Sequence, residues 1–198
     1  LLENPGVTLH TVLHGNSPIG QDILYAMMRD IASGMLYLHN VHPPVIHGFL
    51  CSRNINVDCN FSAKISGHNS ILLDSTEPPL MSHYKAPELY HYKHISKASD
   101  VYAYGILSAE IVTRTEPYDG VNFNQIINDV TDISLTPPYR PDLSQASCPP
   151  QIRQLIAKCW QPDPENRPSF KTINTYTRSL RGVGASYIQN SKSEHLKT

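Results

Sequence analysis

Long apolar runs and an excess of charge of either sign are both missing from this sequence. Its 198 residues include 16 Lys and Arg against 17 Asp and Glu, a formal net charge of −1. Nothing global therefore indicates a nucleic-acid partner or an anionic membrane surface. No apolar run approaches the ~18 residues that cross a bilayer, and no signal-peptide pattern is present. The chain opens at Leu1 without an initiator methionine, so we expect it to be a piece of a longer protein.

Paired cysteines are also missing, and glycine is scarce. The four cysteines form no CxxC pair: Cys51, Cys59, Cys148 and Cys159. This pattern excludes a cysteine-based zinc framework and a secreted disulfide scaffold, and it favours reduced thiols in a cytosolic setting. The 16 prolines against 10 glycines indicate stiff connections between elements. The length suits one large domain, or a domain with a small appendage, and it suffices for a substantial core.

The first half of the chain predicts one long helix and a short hairpin. Residues 1–17 are rich in turn formers and read as irregular. Ser17 and Pro18 form a helix-start signal, and apolar residues then recur at helical spacing through His39. Residues 55–58 and 63–66 alternate between apolar and polar side chains, which predicts two short antiparallel strands.

The second half predicts a buried central helix followed by shorter ones. Residues 101–112 are apolar almost all round, so they must be buried on every side, with Ser99 or Asp100 as the N-cap. Shorter amphipathic helices are predicted from Phe123, from Pro150 and from about Ser169, the last one ending at Gly182. The fold class is therefore mainly α with one short β-hairpin.

Residues 47–54 (HGFLCSRN) resemble an enzyme loop that has lost its reactive groups. The catalytic loop of protein kinases has the pattern H-R-D-L-x-x-x-N. His47, Leu50 and Asn54 match it, whereas Gly48 and Phe49 replace the Arg and the Asp. That Asp accepts the proton of the substrate hydroxyl, and a phenyl ring cannot do so. Taken alone, these eight residues favour an ordinary loop with a chance His and Asn, so the rest of the chain must decide.

Further motifs follow in the order and at the spacing of the C-terminal lobe of a protein kinase, which the chain resembles as a whole. They are Ala86-Pro87-Glu88, DVYAYG at residues 100–105, Cys159-Trp160 and DPENRP at residues 163–168. The resemblance implies a kinase C-terminal lobe over residues 1–182 and a polar tail or linker over residues 183–198. It also implies that the glycine-rich phosphate loop belongs to an N-terminal lobe absent from this chain.

The resemblance assigns structural roles to three charged residues. Glu88 is expected to pair with Arg167, and Asp100 is expected to bind backbone N–H groups of the loop at His47. The magnesium-binding D-F-G motif falls on Gly67, His68 and Asn69, which leaves Asn54 at most to contact a cofactor. We therefore expect no catalytic residue, no metal ligand set and no cofactor in this chain. The loss of these groups also weakens the case for ATP and magnesium binding by the parent protein.

Among kinase-like families, the chain is most similar to the kinase-homology domain of receptor guanylyl cyclases, in the enterotoxin and guanylin receptor branch. The similarity lies in His47-Gly48, in NSIL at residues 69–72, in DVYAYGI at residues 100–106 and in YRPDL at residues 139–143. Cys51 and Gly67 depart from that family, which usually keeps a lysine and often keeps the metal-binding aspartate there. The resemblance implies an inactive domain that faces the cytoplasm in a single-pass receptor and controls cyclic GMP synthesis.

As partners, this resemblance implies an N-terminal lobe, a coiled coil with a cyclase domain after this chain, and a homodimer, with no nucleic acid. Two alternatives remain open: a pseudokinase scaffold of the tyrosine-kinase-like group, or an active kinase with relocated catalytic groups. The sequence that follows Thr198 would separate the first two. The pairs His39 with His42 and His91 with His94 have no third ligand at helical spacing, so they predict solvated histidines rather than a metal site.

Overall fold

The computed structural model describes residues 7–67, 83–92 and 94–180. Within them the chain is mainly α, as predicted, with one small sheet. The helices are α1 Leu9–His14, α2 Gln21–Asn40, α3 Glu88–Tyr92, α4 Lys97–Thr113, α5 Phe123–Thr131, α6 Pro150–Cys159 and α7 Phe170–Ser179. The strands are β1 Val7–Thr8, β2 Ile55–Val57 and β3 Ala63–Ile65, and 3-10 turns occupy Ser52–Asn54 and Pro164–Asn166. None of the described helices is long and apolar enough to cross a bilayer.

Helix α4 is the centre of the core, which confirms the prediction made from its apolar sequence. Every residue from Ser99 to Ile111 is buried. The helix packs against α2, α6 and the start of α7, where the rings of Tyr104 and Phe170 meet edge to face at 5.4 Å. Gly105 allows α6 to come close, since a Cβ atom there would lie 2.9 Å from Cys159 Cβ. A buried helix of this kind holds the surrounding loops in fixed positions.

The cap of α4 differs from the prediction. The helix begins at Lys97, and Ser96 caps it by accepting a hydrogen bond from the backbone N–H of Ser99. The Ser99 hydroxyl in turn accepts from the backbone N–H of Ser96, which completes a capping box. Ser99 and Asp100 therefore lie inside the first turn. As a result, the Asp100 carboxylate is available for a tertiary contact.

Helix α2 also begins later than predicted, at Gln21 instead of Pro18. The Arg114 guanidinium donates to the backbone carbonyls of Leu13, Gly15 and Ser17, at 3.0, 2.8 and 3.0 Å. These tertiary hydrogen bonds hold the segment before α2 in a non-helical conformation. The helix-start signal at Ser17 therefore does not start a helix.

The predicted hairpin is present, but it belongs to a three-stranded antiparallel sheet. Ile55 pairs with Ile65 within the hairpin, and Val57 pairs with Val7 of β1 on its other side. The reading of residues 1–17 as irregular was wrong for the part that is described, because α1 follows β1 directly. The Thr8 hydroxyl caps α1 by accepting from the Thr11 N–H at 3.2 Å. The predicted helix end at Gly182 and the boundary with residues 183–198 lie outside the described residues.

Candidate functional site

Asp100, at the start of the buried helix, holds the loop that resembles the kinase catalytic loop. Its carboxylate accepts hydrogen bonds from the backbone N–H groups of His47 and Gly48, each at 2.8 Å. The Nε2 atom of His39 lies 2.8 Å from the same carboxylate, and both side chains are buried. Asp100 thus makes the loop contacts expected of it, whereas His39 is not a solvated histidine. Such a carboxylate with several donors fixes the backbone of a loop firmly.

His47 links this loop to the hairpin. Its side chain is fully buried, and Nε2 lies 3.0 Å from the carbonyl oxygen of Ser66. The Nδ1 atom accepts from the backbone N–H of Phe49 at 3.2 Å. Donation from Nε2 and acceptance at Nδ1 define one neutral tautomer. The histidine therefore has a positioning role, and Gly48 beside it takes the positive φ of 80° that the turn requires.

Phe49 and Asn54 leave the position of the kinase aspartate without a proton acceptor. Phe49 is half-buried and occupies the position of the kinase aspartate. Asn54 uses its side-chain amide to donate to the carbonyl oxygen of Phe49 at 2.9 Å. An asparagine and a phenylalanine cannot accept a hydroxyl proton at neutral pH. The loop keeps its shape through these contacts but offers no proton acceptor at this position.

Gly67 faces Asn54 from the end of the hairpin, and the family resemblance aligns Gly67 with the metal-binding aspartate. It has a positive φ of 73°, and a Cβ atom built on it would lie 3.1 Å from Asn54 Oδ1. Any side chain at position 67 would therefore point at Asn54. Magnesium bound to a nucleotide is held through carboxylate oxygens, and this pair supplies one amide oxygen. Gly67 and Asn54 do not fit magnesium; His68 and Asn69 lie outside the described residues.

Glu88 and Arg167 form the expected ion pair. The Arg167 Nη1 and Nη2 atoms donate to the two Glu88 carboxylate oxygens at 2.7 and 2.8 Å, a bidentate arrangement. The Arg167 side chain is fully buried, and the Glu88 side chain keeps 19% of its exposure. Arg167 also donates to three backbone carbonyls and lies over the Tyr102 ring. The pair fastens α3 to the turn before α7.

A buried network around Glu110 was not found by sequence reasoning. Glu110 accepts from the Ser52 hydroxyl at 2.8 Å and from the Tyr84 hydroxyl at 2.6 Å. His14 Nε2 lies 2.9 Å from the same carboxylate, and this contact raises the pKa of His14. Burial, with the nearby Glu110 charge, raises the pKa of Tyr84 well above its usual value. The network connects α1, the 3-10 turn at the end of the loop, and Tyr84 to α4.

The fold and this site together define a class. A central buried helix holds a loop through an aspartate, a short hairpin follows the loop, and a Glu–Arg pair joins two later segments. These features characterise the C-terminal lobe of a protein kinase.

The family model for protein tyrosine and serine/threonine kinases matches residues 4–176. The chain belongs to this family. It is 37% identical to human (Homo sapiens) guanylyl cyclase C over 166 residues, which is 80% of this chain and 15% of that protein. It is 34% identical to ephrin type-B receptor 2 of Gallus gallus over 172 residues, 80% of this chain and 16% of the receptor. It is 32% identical to the dual specificity protein kinase shkC of Dictyostelium discoideum over 178 residues, 85% of this chain and 34% of that kinase. The chain thus spans a minor part of each relative.

Proposed function

We propose that this chain is a catalytically inactive, regulatory kinase-like domain, the kinase-homology region of a receptor guanylyl cyclase. One observation carries the proposal. The contacts that shape a kinase C-terminal lobe are present at Asp100 and between Glu88 and Arg167. The groups that would accept a proton and hold magnesium are replaced by Phe49 and Gly67. A rigid lobe without its chemistry is suited to binding or to relaying a signal.

The similarity to guanylyl cyclase C supports the choice of parent protein. In this proposal the domain transmits a conformational signal to a cyclase domain that follows it and so controls cyclic GMP synthesis. Coupling free energies between such sites are typically ~1–3 kcal/mol, which changes an output roughly 5- to 150-fold. The proposal places the domain on the cytoplasmic side of a single-pass receptor. Its partners would be an N-terminal lobe, a coiled coil with the cyclase domain, and a second copy in a homodimer.

ATP and magnesium have a reduced role in this proposal. Asn54 is the one side chain of the loop that would still contact a nucleotide-bound cation, and its amide nitrogen already donates to Phe49. We therefore expect regulation through protein contacts and not through ATP turnover by this lobe.

A pseudokinase scaffold is the second candidate. The identities to ephrin type-B receptor 2 and to the kinase shkC, 34% and 32%, are close to the 37% found with guanylyl cyclase C. A scaffold would bind signalling proteins without a cyclase domain in the same chain. The coding sequence after Thr198 separates the two candidates: heptad repeats followed by a cyclase domain support the first, and a stop codon supports the second.

Cyclic GMP production tests the regulatory role. The full-length parent and a form lacking residues 1–182 would be expressed at matched levels, and basal and ligand-stimulated cyclic GMP would be measured. Deletion is expected to change the basal rate or abolish the ligand response. The variant Arg178→Ala, on an exposed part of α7, serves as the matched control and should behave as the parent does. An unchanged basal rate together with an unchanged ligand response after deletion would reject the regulatory proposal.

A further inference from the structure

Two histidines of α1, a helix that was not predicted, and a carboxylate from the turn after α4 meet beside the loop of residues 47–54. We propose that His10, His14 and Glu116 form a binding site for a divalent transition-metal ion such as Zn²⁺. The proposal is independent of the regulatory role and contrasts with the sequence-based expectation of no metal site. One nitrogen from each imidazole and one oxygen of Glu116 all lie within 4.8 Å of one another.

The helix supplies the geometry of the two imidazoles. His10 and His14 lie four residues apart on α1, so their side chains project from the same face, and their ring centroids are 4.5 Å apart. Glu116 reaches this face from the turn after α4, with its Oε1 atom 2.7 Å from His10 Nε2. Ligand bonds of 2.0–2.2 Å around a tetrahedral ion separate the ligand atoms by roughly 3.4 Å. Small movements of partly exposed side chains therefore complete the site.

Two imidazoles and a carboxylate are the ligands that zinc takes in many three-ligand sites, with water in the fourth position. The side chains of His10, His14 and Glu116 keep 20%, 21% and 33% of their exposure, so an ion and a water molecule can reach them. On the core side of the site, the Nε2 atom of His14 contacts the buried Glu110 carboxylate at 2.9 Å. Such an outer carboxylate orients a metal-binding histidine. With Nε2 bonded in this way, Nδ1 is the nitrogen that His14 offers to the metal.

Arg53 competes with a metal ion for the same groups. Its Nη2 atom lies 2.8 Å from His10 Nε2 and 3.3 Å from Glu116 Oε1. His10 and Glu116 thus already bind one cationic group, the Arg53 guanidinium. The Arg53 side chain is 39% exposed, so it can turn outward. Arg53 stands next to Asn54 in the 3-10 turn of the loop. Metal binding would therefore release an arginine from the edge of this loop, which links occupancy of the site to the loop.

Titration with Co²⁺ and then Zn²⁺ tests the site. The tag-free 198-residue chain, freed of metal with a chelator, would be titrated at about pH 8, where histidines are mostly neutral. We expect one equivalent of Co²⁺ to produce visible absorption bands and Zn²⁺ to displace it. His10→Ala, His14→Ala and Glu116→Gln should each weaken binding about 10-fold or more. Arg53→Gln should strengthen it by removing the competing cation.

Matched controls separate this site from other surface ligands. His91→Ala and Cys59→Ser each remove an exposed side chain of a type that can bind metals but that lies outside the proposed site. These variants should leave the metal affinity unchanged. In the unmutated chain, Zn²⁺ should shift the NMR signals of the His10 and His14 rings before those of other histidines, a result that needs no variant to fold. Binding that survives the double variant His10→Ala/His14→Ala, that is lost with Cys59→Ser, or that is undetectable with one equivalent of metal would overturn the proposal.

Discussion

Replacing Arg167 with alanine is the sharpest structural perturbation that this lobe offers. The change removes the bidentate bonds to Glu88 and three donors to the carbonyls of Ala98, Gln161 and Pro162. The Glu88 carboxylate then has no partner among these groups, while its surroundings remain largely closed to water. Breaking a buried pair from one side costs about 3–5 kcal/mol.

The lower end of that range applies here, because the Glu88 side chain keeps 19% of its exposure and water can partly hydrate it. For a domain of this size, about 1 kcal/mol lowers the melting temperature by roughly 2–4 °C. Arg167→Ala is therefore expected to lower the melting temperature by roughly 6–12 °C in a thermal scan followed by circular dichroism. Arg167→Lys keeps the charge but loses the planar fork, so an intermediate fall is expected.

The matched control is Arg178→Ala. Arg178 is exposed on α7 and makes one long contact, 3.3 Å, to Asn174 Oδ1. Its replacement should change the stability by no more than about 0.5 kcal/mol. A double-mutant cycle with Glu88→Ala would isolate the coupling between the two partners. Equal and small effects from Arg167→Ala and Arg178→Ala would refute the reasoning.

Three further predictions follow from packing, burial and hydrogen bonding. Gly105→Ala should destabilise the fold by about 1–3 kcal/mol in denaturant unfolding, because the new methyl group would meet α6; an unchanged midpoint would contradict the close packing. Iodoacetamide should label the exposed Cys59 and spare Cys51 in the folded chain, since burial raises the pKa of Cys51 to about 11. Mass spectrometry reads the labelling, and equal labelling of the two cysteines would argue against the burial of Cys51. Asp100→Ala should speed hydrogen exchange at the His47 and Gly48 amides, because both oxygens that accept their bonds are lost. Unchanged exchange would show that the loop does not depend on Asp100.

The position of a helix in the fold could be predicted where the apolar residues of that helix alone determine its burial. The apolar residues of α4 cover its whole circumference, so the helix must lie in the middle of the core. The structure places it there. The contacts of Asp100 and of the pair Glu88 and Arg167 were expected from the family resemblance, because the matching motifs mark their positions. Both are long-range contacts, so the family resemblance and not a local pattern supplied the partners.

Features set by distant partners could not be predicted. Arg114 decides where α2 begins, since it binds carbonyls about 100 residues earlier in the chain. Helix α1 has six residues, too few for a periodic signal, although its two histidines are four residues apart. Sequence reasoning found no role for Glu110, because its partners Ser52 and Tyr84 come from separate segments. At the start of α2, tertiary hydrogen bonds override the local helix-start signal.

The claim that the lobe has lost kinase chemistry is tested most directly by a phosphoryl-transfer assay. The parent protein, with its native N-terminal lobe, would be incubated with labelled ATP and Mg²⁺, and phosphorylation of itself and of generic substrates would be measured. General-base catalysis alone contributes about 10²–10⁴-fold, and Phe49 and Gly67 replace the groups that supply the base and the metal carboxylate in active kinases. The account predicts incorporation at background level, unchanged by Asn54→Ala. Turnover well above background that disappears in Asn54→Ala would contradict it.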